Sequence, residues 1–107
     1  MGQASSHSVK INFARRALQE IDRNARWWRE HRPAARMLFE EELAEALKQI
    51  RTNPGLGQLY RVVRGRQQRR VLMPKTKHHV YYRRETAERI MVLSVWSAVR
   101  GRGPRLR

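Results

Sequence analysis

Apolar and polar residues alternate over Val9–Phe13, and this period of two predicts a short β-strand. From Ala14 the apolar residues recur at spacings of four and three, which places them on one face of a helix. This helix should end near Arg32, because the residue before Pro33 is disfavoured in the helical conformation. The predicted buried stripe consists of Ala14, Leu18, Ile21, Ala25 and Trp28.

A second helix is predicted to start at Pro33, since proline suits the first helical turn. Asn53-Pro54-Gly55 ends it. Only His31-Arg32 separates the two helices, so we expect an antiparallel helical hairpin. The buried stripe of the second helix consists of Phe39, Leu43, Ala46, Leu47 and Ile50.

The remainder of the chain predicts β-strands separated by turns. These strands are Leu59–Arg64, Gln68–Met73, His78–Arg83 and Arg89–Val99, with a turn at Glu85–Glu88 before the last. The last strand is apolar on both faces, so it should lie in the interior of the sheet. Alternation places Ile90, Val92 and Trp96 on one face and Met91, Leu93 and Val95 on the other.

The order of elements is therefore β-α-α-β-β-β-β, an α+β fold. An N-terminal strand and a helical hairpin pack on an antiparallel meander sheet. We expect a flexible leader over residues 1–8, a single domain over residues 9–99 and a basic tail over residues 100–107. The glycines and proline of the tail predict that it is mobile.

Composition restricts the class of protein. The chain has 107 residues and no cysteine, which suits one domain and excludes disulfides and thiolate metal sites. No segment approaches the roughly 20 apolar residues of a membrane span. The first eight residues are too polar for a signal peptide. We therefore expect a cytoplasmic protein without membrane contact.

Charge is distributed unevenly. The net charge is +15, but residues 1–50 carry nine Lys and Arg against seven Asp and Glu. Residues 51–107 carry fifteen against two, a balance of +13. Only four of the 24 cations are lysine. Arginine binds phosphate and carboxylate through a planar fork of donors, so the second half predicts an anionic partner.

Candidate catalytic residues form no confident set. His78 and His79 are neighbours on a predicted strand and face opposite sides, so they cannot chelate one metal. We expect no metal and no cofactor. Metal-free RNA cleavage needs cations and proton donors or acceptors. Arginines at 69, 70 and 83 could supply charge, and His79, Tyr81 or Glu85 could move protons. Alternatively, Tyr81 and Tyr82 are ordinary sheet residues.

The three tryptophans have different predicted roles. Trp28 belongs to the apolar stripe and to the core. Trp27 is rotated by about 100° from it, and it either meets a partner or packs beneath the sheet edge. Trp96 is predicted to lie in the core or at its margin.

Several short motifs occur in one order along the chain. They are Pro33-Ala34-Ala35, Asn53-Pro54-Gly55-Leu56-Gly57, Arg69-Arg70-Val71-Leu72, His79-Val80-Tyr81-Tyr82-Arg83, Ile90–Trp96 and Arg100-Gly101-Arg102-Gly103-Pro104. Over about residues 9–105 the chain resembles the RelE/ParE superfamily of toxins of type II toxin–antitoxin systems, often called plasmid stabilisation proteins. RNA-cleaving RelE-like members commonly carry His or Tyr at or beyond the last strand. Residues 97–102 offer neither. The Val-Trp-Ser-x-x-Arg-x-Arg-x-Pro ending over residues 95–104 and the Pro-Ala-Ala start of the second helix are more similar to ParE.

The resemblance to ParE implies a toxin that binds DNA gyrase and arrests growth without turnover. The residues implied in target binding are Arg69, Arg70, Arg83, Arg100 and Arg102. A cognate antitoxin with an acidic segment is also implied, and it would meet Trp27, Arg61, Arg64 and Trp96. One alternative is a RelE-like, ribosome-dependent mRNA endonuclease that uses Arg69, Tyr81 and Arg83. A second alternative is a small basic RNA- or DNA-binding protein.

Overall fold

The structure, a computed structural model, describes residues 9–106. The predicted flexible leader at residues 1–8, and the last residue of the tail, lie outside the described residues. The elements in chain order are β1 (Lys10–Phe13), α1 (Arg15–His31), a 3-10 turn (Pro33–Ala35), α2 (Leu38–Thr52), β2 (Gln58–Val63), β3 (Arg66–Met73), β4 (His78–Thr86) and β5 (Arg89–Ser97). The predicted α+β order is confirmed.

The five strands form one sheet in the order β1-β5-β4-β3-β2. Strands β2 to β5 form the predicted antiparallel meander, and β5 lies in the interior, as predicted. β1 pairs in parallel with β5, so the sheet is mixed. Periodicity predicts a strand but not its neighbour, so the parallel pair could not be predicted. Both helices pack on one face of the sheet, where α1 contacts β5 and α2 contacts β3.

The second helix begins later than predicted. Pro33–Ala35 forms a single 3-10 turn without a side-chain cap, and Met37 leaves the helical conformation (φ −98°, ψ 3°) before α2 starts. The predicted stripe is confirmed from Phe39 onward: four of its members are buried and Leu47 packs against the core.

The buried face of α1 differs from the predicted stripe. Leu18 is 52% exposed, whereas Ala17, Glu20 and Ala25 are buried. Ile21 and Trp28 pack at the margin of the core. The predicted stripe was wrong at Leu18 because a carboxylate occupies part of the buried face, and a hydrophobic pattern cannot register a buried polar group.

Glu20 is buried because it bonds to β5 beyond the end of β1. Its Oε1 accepts hydrogen bonds from Ser94 Oγ (2.7 Å) and from the Val95 N–H (3.0 Å). Its Oε2 accepts from Arg16 Nη2 at 2.9 Å. The last residue of β1 pairs with Val92, so past this point Glu20 takes the place of a neighbouring strand.

An irregularity in β5 overturns two predicted face assignments. Tyr81 pairs with Ser94 but Tyr82 pairs with Val92, so β5 contains one extra residue between them. Such a bulge reverses the alternation of side chains beyond it. Val95 therefore joins Ile90 and Val92 in the core cluster, on the face opposite to the predicted one. For the same reason the prediction that Trp96 shares a face with Ile90 and Val92 was wrong, since Trp96 pairs with His79 on the other side of the sheet.

His78 lies in this core and makes stability depend on pH. Its ring meets Phe39 edge-on, and its Nδ1 is 2.9 Å from the Thr76 carbonyl oxygen. Burial lowers the pKa of His78, and the charge of Arg100 lowers it further, against the raising effects of Thr76 and Glu42. The native state therefore favours the neutral ring.

We expect the free energy of unfolding to decrease as pH falls below about 6.5, the pKa of an unperturbed histidine. Below that value the unfolded chain binds a proton that the native His78 resists, so stability present at higher pH is lost. Urea unfolding at several pH values between about 7.5 and 5.5 measures the slope. His78→Gln should reduce it. An unchanged slope in His78→Gln would contradict this assignment.

Candidate target-binding surface

Residues on β3 and β4 alternate between two faces of the sheet. Val71, Val80 and Tyr82 point toward the helices and belong to the core cluster. The paired residues Arg70 and Tyr81 point the other way. We call this second side, which also carries Tyr60 and Trp96, the outer face.

The C-terminal tail crosses the outer face, so the prediction of a mobile tail was wrong for its described part. Three of its backbone carbonyls accept hydrogen bonds from side chains. Trp96 Nε1 donates to the Arg102 oxygen (3.0 Å), Tyr60 Oη to the Pro104 oxygen (3.2 Å) and Arg16 Nη1 to the Arg105 oxygen (2.8 Å). Pro104 is fully buried. The glycines of the tail predicted mobility, because composition does not show that Trp96, Tyr60 and Arg16 donate hydrogen bonds to it.

Gly103 allows the tail to approach this closely. A Cβ placed on Gly103 would lie 2.2 Å from Tyr60 Oη and 2.8 Å from its Cζ, well inside contact distance. By contrast, a Cβ on Gly101 would meet nothing within 4 Å. The absence of a side chain at 103 is therefore a condition for the docked tail.

Two aromatic rings on the outer face each hold two guanidinium groups. Arg100 and Arg16 lie 4.2 and 5.5 Å from the centre of the Trp96 ring. Arg61 and Arg70 lie 4.6 and 5.4 Å from the centre of the Tyr60 ring. Such cation–π contacts hold the cations in place without neutralising them. The rings therefore act as supports for positive charge.

Together the tail and the outer face form an open groove of about 660 Å³. Its lining, which we call the tail groove, consists of Arg16, Tyr60, Arg61, Trp96 and residues 100–105. Of its arginines only Arg16 forms an ion pair, with Glu20, among the residues the structure describes. The tail groove can accordingly bind an anion with oxygen acceptors.

Beside the groove, Tyr81 and His79 have environments that matter for proton transfer. Tyr81 is buried, and its hydroxyl lies 3.3 Å from Arg70 Nη1. Burial raises the pKa of Tyr81 more than the bond from Arg70 lowers it. Burial also lowers the pKa of His79, and the charge of Arg70 adds to this effect. Near neutral pH, Tyr81 keeps its proton and His79 is uncharged.

The structure separates the residues that the ribonuclease alternative would need. Arg69 pairs with Tyr82 on the helix side and donates to the Gly57 carbonyl at 2.8 Å. Tyr81 and Arg83 lie on the outer face, where Arg83 forms an ion pair with Glu85. Arg69 therefore does not share a face with the other two, because neighbours on a strand point to opposite sides.

The target-binding residues predicted from the resemblance are likewise only partly gathered. Arg70, Arg100 and Arg102 lie close together around one pocket of the outer face. Arg69 and Arg83 lie beside a different pocket, at the other end of β3. Sequence reasoning missed Arg16, Tyr60 and Arg105. Only the Gly-Pro pair in the tail offered a signal, since it is typical of a turn or loop rather than a helix.

The residues predicted to meet an antitoxin lie in two regions. Arg61 and Trp96 line the tail groove, and Arg64 follows β2 with a positive φ of 55°. Trp27 lies on α1, is 41% exposed and stacks on His31 at 4.9 Å. It is therefore on the surface rather than beneath the sheet edge.

Residues 9–106 contain no group of three side chains able to hold a metal ion. No helix in this part of the chain is long and apolar enough to cross a membrane.

The fold of this protein is similar to that of a known protein. The fold matches a solved structure titled "Chromosomal ParDE TA system from P. aeruginosa", with a TM-score of 0.66 and 15% identity over 85% of this chain and 97% of that one. At this identity the match shows the fold alone. No curated protein matches the sequence significantly.

The family follows from the sequence itself. The family model described as "ParE toxin of type II toxin-antitoxin system, parDE" matches residues 11–101. The protein is therefore a toxin of a type II toxin–antitoxin system, and it has an antitoxin as partner. More specifically, the chain belongs to the ParE toxin family.

Proposed function

We propose that this toxin arrests growth by binding DNA gyrase while the enzyme is engaged with DNA, and not by catalytic turnover. Family membership is the observation that carries the proposal. The cationic outer face also supports it, because binding to an acidic protein surface or to DNA requires unpaired positive charge. The arginines at 70, 100 and 102 contribute that charge. Arg69, on the opposite face, and Arg83, which pairs with Glu85, are proposed as further contacts of the target.

One observation favours a second function, RNA cleavage on the ribosome. Uncharged His79 and protonated Tyr81 lie beside Arg70, which is the arrangement that general acid–base chemistry on a phosphodiester requires. Against it, the Tyr81 side chain is buried and Arg69 is on the other face. We therefore propose gyrase as the target.

Induction of the toxin in bacteria separates these functions. We expect loss of negative supercoiling and induction of the DNA-damage response while mRNA stays intact. His79→Gln should arrest growth as well as the wild type does, because a gyrase-binding toxin needs no proton acceptor there. Cuts in mRNA at the ribosomal A site that vanish in His79→Gln would show a ribonuclease instead. Normal growth would favour a nucleic-acid-binding protein without toxicity.

The antitoxin is proposed to carry an acidic segment that contacts Arg61, Arg64, Trp96 and Trp27. Exposed apolar side chains lie near the first two of these: Leu59 and Val62 on β2 are 47% and 57% exposed. A segment that combines carboxylates with apolar residues would pair with both features. To reach Trp27 as well, it must extend onto α1.

A further inference from the structure

We propose that the docked tail and the outer face together form a binding site for the sugar–phosphate backbone of a polynucleotide, so that the toxin contacts DNA directly. This inference deepens the proposed function, since it assigns the DNA, rather than the gyrase protein, to the tail groove. It rests on the positive charge of the groove, on the fixed position of the docked tail and on the kinds of side chain in the lining.

Four arginines of the tail groove are available to bind an anion. Arg61, Arg100, Arg102 and Arg105 form no ion pair within residues 9–106. Arg61 and Arg100 lie against aromatic rings, which limits their side-chain freedom before any ligand arrives. A cation ordered in advance loses less entropy when it binds an anion. The groove is therefore preorganised to bind a partner with several negative charges.

The backbone carbonyl oxygens of the tail are held by hydrogen bonds. A backbone carbonyl that faced the groove would repel an anion. The carbonyls of Arg102, Pro104 and Arg105 instead accept bonds from Trp96, Tyr60 and Arg16. The tail thus contributes its guanidinium groups, while three of its carbonyl oxygens already accept hydrogen bonds from side chains of the groove.

The side chains that line the tail groove suit a polynucleotide better than an acidic peptide. A segment that folds on binding needs apolar anchors to offset its ordering entropy. The exposed large apolar side chains of residues 9–106 all lie outside the lining of the tail groove. That lining is arginine, glycine, proline and two aromatic rings. A positively charged groove that follows the phosphate backbone, with aromatic rings along it, is typical of proteins that bind single-stranded nucleic acid.

Two glycine variants test whether the docked tail is required, without any change in charge. Binding of the purified full-length toxin to fluorescein-labelled single-stranded DNA, duplex DNA and RNA of about 20 nucleotides is measured by anisotropy over a range of salt. Gly103→Ala should weaken binding about tenfold, because the new Cβ collides with Tyr60 and displaces the tail. Gly101→Ala should bind as the wild type does. Tighter binding of DNA than of RNA identifies DNA as the ligand, and the reverse overturns that assignment.

Charge variants provide an independent readout if Gly103→Ala folds poorly by circular dichroism. Removal of two phosphate contacts in Arg100→Gln/Arg102→Gln should reduce the salt slope by about two. The matched control Arg23→Gln/Arg36→Gln removes two exposed arginines on the helical side and should leave the slope almost unchanged. Equal losses in both double variants, equal behaviour of both glycine variants, or no binding would overturn the inference.

The binding assay contains no gyrase, so its failure is distinct from failure of the proposed function. Inhibition of gyrase without groove-dependent DNA binding overturns only the inference. Groove-dependent DNA binding without inhibition of gyrase overturns only the proposed function.

Discussion

Glu20→Ala is expected to lower the free energy of unfolding by about 3 kcal/mol, a large loss for a domain of this size. Glu20 is 6% exposed, and its carboxylate accepts bonds from Ser94, Val95 and Arg16. Alanine would leave a buried hydroxyl and a buried N–H without an acceptor. An unsatisfied buried group costs about 1–3 kcal/mol, and here two would be left together.

Urea unfolding of the variant and the wild type at one pH measures this loss. Asp22→Ala is the matched control, because Asp22 lies on the same helix and pairs with Arg26 through exposed side chains. Exposed pairs contribute at most about 1 kcal/mol, so the control should change little. Glu20→Gln keeps one acceptor and should fall between the two. Similar stabilities of Glu20→Ala and Asp22→Ala would contradict the role given to the buried carboxylate.

The antitoxin is expected to stabilise the toxin by about 4 kcal/mol when its free concentration is about 1,000 times its dissociation constant. Binding to the native state alone shifts the unfolding equilibrium by mass action. For a domain of this size, such a gain raises the melting temperature by more than about 10 °C. Free toxin should be only marginally stable, because +15 charges repel one another in the compact chain.

Thermal unfolding of the toxin, alone and with its cognate antitoxin, measures the shift. Arg61→Gln/Arg64→Gln should reduce it, whereas Arg36→Gln/Arg51→Gln removes the same charge from exposed positions on the helical side and should reduce it less. Equal melting temperatures with and without the antitoxin would contradict the prediction. Since Arg61 and Trp96 also line the tail groove, antitoxin and DNA should exclude each other.

Much of the fold could be predicted because periodicity reports local conformation. The stripe from Phe39 to Ile50 has helical spacing and is buried as expected. The strands from Gln58 to Ser97 follow alternation between turns, and β5, which is apolar on both faces, has a neighbouring strand along each of its edges. The concentration of positive charge in residues 51–107 could also be predicted, since charge follows directly from composition.

The candidate site could be predicted only in part. Arg70, Arg100 and Arg102 were anticipated, and the structure brings them together. Arg69 was grouped with them although its side chain lies on the opposite face. Arg16, 89 residues from Arg105 along the chain, gave no sign of its role. Contacts at such separation depend on packing, and no local pattern encodes them.

The sequence by itself determined the kinds of element, their order, the concentration of positive charge in the second half and the family of toxins. The tertiary structure alone decided that β1 pairs in parallel with β5, that the bulge turns Val95 inward and that the tail lies on the outer face. The physical reason is common to all three. Each depends on hydrogen-bond donors and acceptors that find partners far away in the chain, such as the Val95 N–H at Glu20 and the Pro104 carbonyl at Tyr60.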